Sequence, residues 1–306
     1  GSPLFYGSGA HRGGVAPRPG WAALRGLAGA STPDIVSVAT DSWMIAEGTP
    51  VEVRPAKFLS GQLERIRGTE FGTREEIVRD FRGGFESRQR PTMAFRLKNV
   101  LLADGVLHAE GALRHLRAPA HRLPFGSPRQ VIERAALYES WSGNRWFGNW
   151  LVDDCLTYRL AEAVGCPATS AQAIGHMSAY ERRLGMTPRR VDASWFDELI
   201  LFDDRANNAH RRWRATDLRR RLIGTEQPRH AGVYLVRGVS GDRRVLQNER
   251  AIAEHLSARR GFRVLDPSAS SLAEIIDACA GARVVAGVEG SHLVHGLVLM
   301  PPEARL

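Results

Sequence analysis

Three stretches of the chain carry residue types suited to chemistry. In GVEGSH (287–292), Gly287 and Gly290 enclose Glu289 and lead to Ser291 and His292 where an apolar strand turns into a helix. Unpaired helix amides at such a turn hold a phosphate or another anion, and glycine lets a ligand approach the backbone; the alternative is a purely structural turn. VRGVSGDRR (236–244) gathers Arg237, Arg243 and Arg244 around a strand end. Arginine's fixed charge and planar fork suit phosphate oxygens, so these side chains would neutralise a diphosphate without a metal; the alternative is a solvated loop. In WFGNWLVDDCLTYRL (146–160), Asn149 and Asp153 are four apart and share a helix face. Adjacent carboxylates serve as a base or simply face water, and with Asp154 pointing elsewhere only one of the two is expected to enter a cleft.

Metal and thiol chemistry find less support. His292 and His295 are three apart, but no third ligand stands at matching spacing, so His292 is expected to touch a ligand and His295 to pack. His176 reads as a structural histidine. Cys155, Cys166 and Cys279 are odd in number and lack CxxC spacing, which argues against a disulfide framework or a zinc site. Trp146, Trp150 and Trp213 read as core or domain-interface residues.

These residues need strands and helices to bring them together. Residues 1–30 are glycine- and proline-rich and predict a flexible arm. From 34 to 125 the pieces DIVSV, PVEVR, MAFRLKNVLL and VLHAEGAL predict strands, with a hairpin turn at Asp104 and Gly105. From about 130 strands and helices alternate: RAALYES, the helix 146–165 stopped by Gly165, ATSAQAIG, SAYERRLG, ELILFD, and a helix from about 209 to 223 closed by Gly224. That alternation predicts a parallel sheet with crossover helices.

After a polar joint near residue 228 it restarts with GVYLVRG, NERAIAEHLSARRG, FRVLDP, SLAEIIDACAG, ARVVAGVEG and SHLVHGLVLM. Ser271 and Glu274 stand at capping-box spacing. The expected architecture is an α/β fold of two doubly wound units, 31–226 and 227–306, facing a cleft, with ligands beyond the carboxyl ends of the strands.

The chain has 306 residues, 43 % apolar and 25 % charged, enough for two cores and unlike a fibrous or disordered protein. Its formal charge is +9, from 42 Lys and Arg against 33 Asp and Glu, and only Lys57 and Lys98 are lysines. Arginines recur along the whole chain instead of gathering on one element, so no nucleic-acid partner is expected. The basic helix around 211–221 reads as a solvated face or as a contact with an anionic membrane. No apolar run approaches a membrane span and the opening residues lack a signal core, so a cytoplasmic protein is expected, with a peripheral contact at the inner membrane as its closest approach to lipid.

From about 130 to 306, order and spacing resemble glycosyltransferase family 61. The family's pattern is an arginine at a strand end, an Arg-rich segment leading to Asn-Glu on a helix, a glycine-bounded strand-to-helix turn, and Pro-Pro. Here these are Arg237, Arg244 with Asn248 and Glu249, the turn 287–292, and Pro301 with Pro302. The helix at 146–160 resembles the family's other signature, an aromatic and a histidine before an aspartate four residues on. Asn149 replaces that histidine, and Glu289 stands where many members have histidine.

The resemblance implies a GT-B arrangement of two Rossmann-like domains, the N-terminal one on the acceptor side. It implies inverting transfer from a nucleotide-sugar donor to a saccharide acceptor, free or lipid-linked, in bacterial cell-surface polysaccharide synthesis, with no cofactor and no metal. Asp153 would be the base, with Glu289 in reserve; Arg237, Arg244, Gly290, Ser291 and His292 would hold the donor, and Asn149 and Asn248 would line the cleft. A complete GT-B protein would continue beyond PPEARL, so the C-terminal unit reads as incomplete. The competing reading is a non-catalytic nucleotide-sugar or glycan binder of the same fold, motivated by Asn149.

Overall fold

A computed structural model of the chain describes residues 33–69, 72–120, 128–238 and 245–306. The arm expected over 1–30, and Arg243 and Arg244, lie outside the described residues.

Strand β1 (Asp41–Ala46) is followed by the separate antiparallel pair β2 (Pro50–Val53) and β3 (Phe85–Arg88), which flank helix α1 (Arg74–Arg82). Next come β4 (Thr92–Ala103), β5 (Val106–Ala109), β6 (Ala112–His115), β7 (Gln130–Leu137), β8 (Pro167–Thr169), β9 (Arg189–Arg190) and β10 (Ser194–Asp203). Together with β1 they form one eight-stranded mixed sheet, ordered β6-β5-β4-β10-β7-β8-β9, in which β1 and β5 share one edge of β4.

The β-rich start and the α/β unit are therefore parts of one sheet. Strand β10 joins them, pairing antiparallel with β4 on one side and parallel with β7 on the other. It can do so because both of its faces are apolar: Ile200 packs into one core cluster while its neighbours Leu199 and Leu201 pack into another.

Two strand expectations shrink. DIVSV forms a 3₁₀ turn, Ile35–Val38, because Asp34 Oδ1 accepts from the Val36 amide and caps it. ATSAQAIG keeps only β8, because Ser170 leaves the sheet to bond the Glu139 carboxylate. The Asp104-Gly105 turn is present with both φ angles positive, 48° and 75°, the geometry of a two-residue hairpin.

Helices α2 (Trp141–Arg145), α3 (Phe147–Asn149), a π turn (Trp150–Asp154) and α4 (Cys155–Ala163) follow β7. Helices α5 (Met177–Leu184) and α6 (Ala209–Ile223) complete this part, the latter capped by Asn208 Oδ1 on the Arg211 amide and ended at Gly224.

The C-terminal segment builds a parallel sheet, β12-β11-β13, from β11 (Gly232–Leu235), β12 (Phe262–Leu265) and β13 (Val285–Gly287). Its helices are α7 (Glu249–Arg260), α8 (Leu272–Cys279) and α9 (Leu293–Leu299), and the capping box of Ser271 and Glu274 at the start of α8 is formed. One apolar cluster passes from Leu151, Tyr180 and Leu218 to Val233, Leu235 and Ile275, so the two sheets share a core.

Candidate functional site

The glycine-bounded turn follows β13. Arg237, just beyond β11, is buried, and its guanidinium donates through Nη1 to the Glu289 carbonyl. Gly290 makes room for it: a Cβ at that position would stand 1.8 Å from Arg237 Nη1. The first bonds of α9 run from the amides of Leu293, Val294 and His295 to the carbonyls of Gly290, Ser291 and His292, and so do not use the amides at 290–292. His292 is half-buried, and burial together with the Arg237 charge pushes its imidazole pKa down, favouring the neutral form. Glu289 is exposed and gives the turn its backbone carbonyl.

Glu249, the first residue of α7, was not singled out for a site role. It is buried and accepts the amides of Arg237 and Gly238, each at 2.8 Å, so a protein carboxylate occupies these two strand-end amides. Asn248 beside it is exposed and makes no capping bond.

Across from the turn, Asp153 lies in the π turn. Its Oδ2 accepts from Asn149 Nδ2 at 2.9 Å and its Oδ1 accepts from Arg211 Nη2. Arg211 is buried in α6 and also donates to the carbonyls of Val152 and Asp204. Three residues along the same helix face, Arg214 grips the Asp204 carboxylate with both terminal nitrogens, at 2.7 and 2.6 Å. The basic helix thus turns two arginines inward instead of presenting only a solvated or membrane-facing surface. Nothing distinguishes Arg211 and Arg214 in a chain so rich in arginine except their three-residue spacing. The outer face of α6 carries Trp213, which is 64 % exposed and so is neither a core nor a domain-interface residue.

Asp154 does not turn away from Asp153. It and Asp153 both line a cavity of about 780 Å³ at the carboxyl ends of β7 and β10, with Asn149, Glu139, Trp141 and Asp204. A π turn holds more residues per turn than an α turn, so neighbouring side chains diverge less, and both aspartates reach one wall. Asp154 is buried, with Oδ1 accepting the Ser140 hydroxyl at 2.7 Å and Oδ2 the Ser140 amide at 3.2 Å. Burial pushes its pKa well up, the charges of Glu139 and Asp153 add to this, and the Ser140 bonds oppose it. Gly143 is required beside it, since a Cβ there would come within 1.9 Å of Asp154 Oδ2.

Turn and helix are held together by Gly148, whose bare α-carbon packs on Ser291 and Val294. Around this contact Phe147, Tyr180 and His295 stack, and the Tyr180 hydroxyl meets His295 Nδ1 at 2.8 Å. Burial, with His176 and His292 adding, pushes His295 down to about 3, so it packs as a neutral ring, as the sequence predicts. His176 bonds the Pro267 carbonyl at 2.8 Å, a structural role. Trp150 is buried in the core as expected.

A mixed α/β fold with loops converging at strand carboxyl ends is compatible with a glycosyltransferase. The family model for Glycosyltransferase 61 matches residues 121–306, so the chain belongs to glycosyltransferase family 61 and is a transferase enzyme acting on a donor and an acceptor. No curated protein matches the chain. Among the described residues no helix is long and apolar enough to cross a membrane.

Proposed function

We propose that the chain transfers a sugar from a nucleotide-sugar donor to a hydroxyl of a saccharide acceptor, free or lipid-linked, with inversion and without an obligatory metal, in bacterial cell-surface polysaccharide synthesis. The observation that carries this reading is the packing of Gly148 on Ser291, which sets the helix bearing Asp153 against the turn braced by Arg237. In the GT-B sense, the three-stranded parallel sheet is the donor side and the eight-stranded sheet the acceptor side.

The donor diphosphate lies at the 287–292 turn, near Arg237, Gly290, Ser291 and His292, with Arg244 as a further contact. Positive charge and amides there stabilise the negative charge that develops as the bond from the anomeric carbon to the diphosphate breaks. Asp153 accepts the proton of the acceptor hydroxyl while its oxygen forms the new bond to that carbon. Arg211 and Asn149 hold the carboxylate, and Asn149 does so as a neutral donor in place of an imidazole. Glu289 is the reserve base. The exposed Trp213 and Arg212 on α6 support a peripheral contact with an anionic surface on the cytoplasmic side.

A thermal-shift screen of UDP-, GDP- and CMP-sugars tests the donor, since a ligand that binds the folded state raises the melting temperature. One class should raise it and be slowly hydrolysed, with EDTA leaving hydrolysis unchanged. No response to any of the three removes the donor assignment, and an EDTA-sensitive rate restored by Mg²⁺ or Mn²⁺ removes metal independence.

A further inference from the structure

The cavity at the ends of β7 and β10 is larger than a single carboxylate base requires. Its volume, about 780 Å³, is within the roughly 300–1,000 Å³ of small-molecule sites.

The charges of its wall are matched locally. Arg114 sits on Asp34 at 2.6 Å and Arg90 on Asp203 at 3.7 Å, while Arg211 and Arg214 answer Asp153 and Asp204. Arg205, at the exposed rim, lies close enough to Asp34 to help lower its pKa. Asp154 is shifted towards its neutral form, and the Glu139 oxygens receive the Ser170 amide, the Ser170 hydroxyl and Asn144 Nδ2. The wall therefore offers many hydrogen-bond acceptors and little net charge.

Phe95, Tyr138, Trp141 and Phe202 all line this wall, and Trp141 is the most exposed of the four. Trp141, the first residue of α2, is 37 % exposed, and the Arg145 guanidinium lies 5.1 Å from its ring centroid. Its backbone is fixed by the Ser140 cap on the Gly143 amide at 3.0 Å. A rigid indole beside a charge-balanced set of acceptors matches one ligand chemistry. An uncharged pyranose lays its C–H face on an aromatic ring and donates its hydroxyls to carboxylate and carboxyl oxygens.

We propose that this cavity binds a neutral pyranose unit of the acceptor, with Trp141 as the stacking platform that selects it and its reactive hydroxyl turned to Asp153. This rests on the transfer reading above, with Asp153 as base. An anionic sugar would set its negative charge near Glu139, whose hydrogen-bond partners Asn144 and Ser170 are neutral, and is disfavoured.

The test is saturation-transfer NMR on the full chain with methyl β-glucoside, methyl β-galactoside and methyl β-glucuronoside as probes. At least one neutral glycoside should bind several-fold more tightly than the glucuronoside. Trp141→Leu should weaken neutral binding about tenfold and Trp141→Phe by less than threefold, with thermal unfolding confirming that each variant is folded. Preference for the glucuronoside, no binding of either neutral probe, or equal binding by native and Trp141→Leu protein overturns the inference. The native protein's preference needs no variant, and failure of the transfer reading shows separately, as absent donor hydrolysis with saccharide binding intact.

Discussion

Gly148 lies directly against Ser291: a Cβ on Gly148 would come within 3.3 Å of Ser291 Oγ, 3.4 Å of Ser291 Cα and 2.9 Å of Val294 Cγ2. The residue before Asn149 is thus the floor on which the glycine-bounded turn rests. Gly148→Val should push turn and helix apart. Overpacking of this kind costs about 1–3 kcal/mol, readable as a lowered melting temperature. Transfer should fall at least tenfold further than donor binding, because binding uses the turn alone; equal losses in both would show that the contact serves stability only.

Asp153→Asn keeps the shape of the side chain and removes its basicity. Loss of a general base costs about 10²- to 10⁴-fold in rate, so transfer should fall by that much while the donor dissociation constant changes less than twofold. A variant with native transfer rates would remove Asp153 from the mechanism.

Gly290→Ala is aimed at Arg237, whose Nη1 occupies the place of the missing methyl. Displacing this guanidinium should weaken donor binding about tenfold, or about 1.4 kcal/mol, measured by calorimetry with the sugar nucleotide found in the screen. Unchanged affinity would mean that Arg237 braces the turn without meeting the diphosphate.

Two arginines of α6 should behave differently although they belong to one basic run. Arg211→Met removes the partner of Asp153 from a buried site, where breaking such a pair costs about 3–5 kcal/mol. Arg220→Met removes an exposed partner of Asp217, its side chain 74 % accessible, and should cost no more than about 1 kcal/mol. Chemical denaturation of both variants checks this, and similar losses would refute the inward role of Arg211.

That contrast marks how far the residues could be read without coordinates. Helix α6 is legible because Gly224 ends it, and the capping box of Ser271 and Glu274 is equally local, whereas the Asn208 cap at the start of α6 is seen only in the structure. The apposition of Asp153's helix and the 287–292 turn was expected only as a cleft, since Gly148 is one glycine among 31. What escaped depends on distant partners. Burial of Arg211 and Arg214 follows from Asp204, the use of strand-end amides by Glu249 follows from the fold of α7, and the single mixed sheet follows from the two-sided pairing of β10.

The buried carboxyl of Asp154 should leave a mark on stability. An unfolded aspartate titrates near pH 3.9, whereas burial holds the folded carboxyl well above that. Between these values the folded state binds a proton that the unfolded state lacks, so this contribution is full below about pH 4 and is lost as pH rises through the folded value. Asp154→Asn, which cannot ionise, should gain melting temperature relative to the native chain from pH 4 to pH 8. A difference that does not change with pH would mean that Asp154 is ionised in the folded protein.

The core common to both sheets also bears on how substrates come and go. Leu218 and Leu222 of α6 pack in the same cluster as Val233 and Leu235 of β11. Swinging the smaller sheet outward about 224–230 would wet these side chains at about 1.5–3 kcal/mol each. Clamshell opening is therefore too costly to recur at every turnover. Donor and acceptor are expected to enter and leave without such opening, by local side-chain rearrangement.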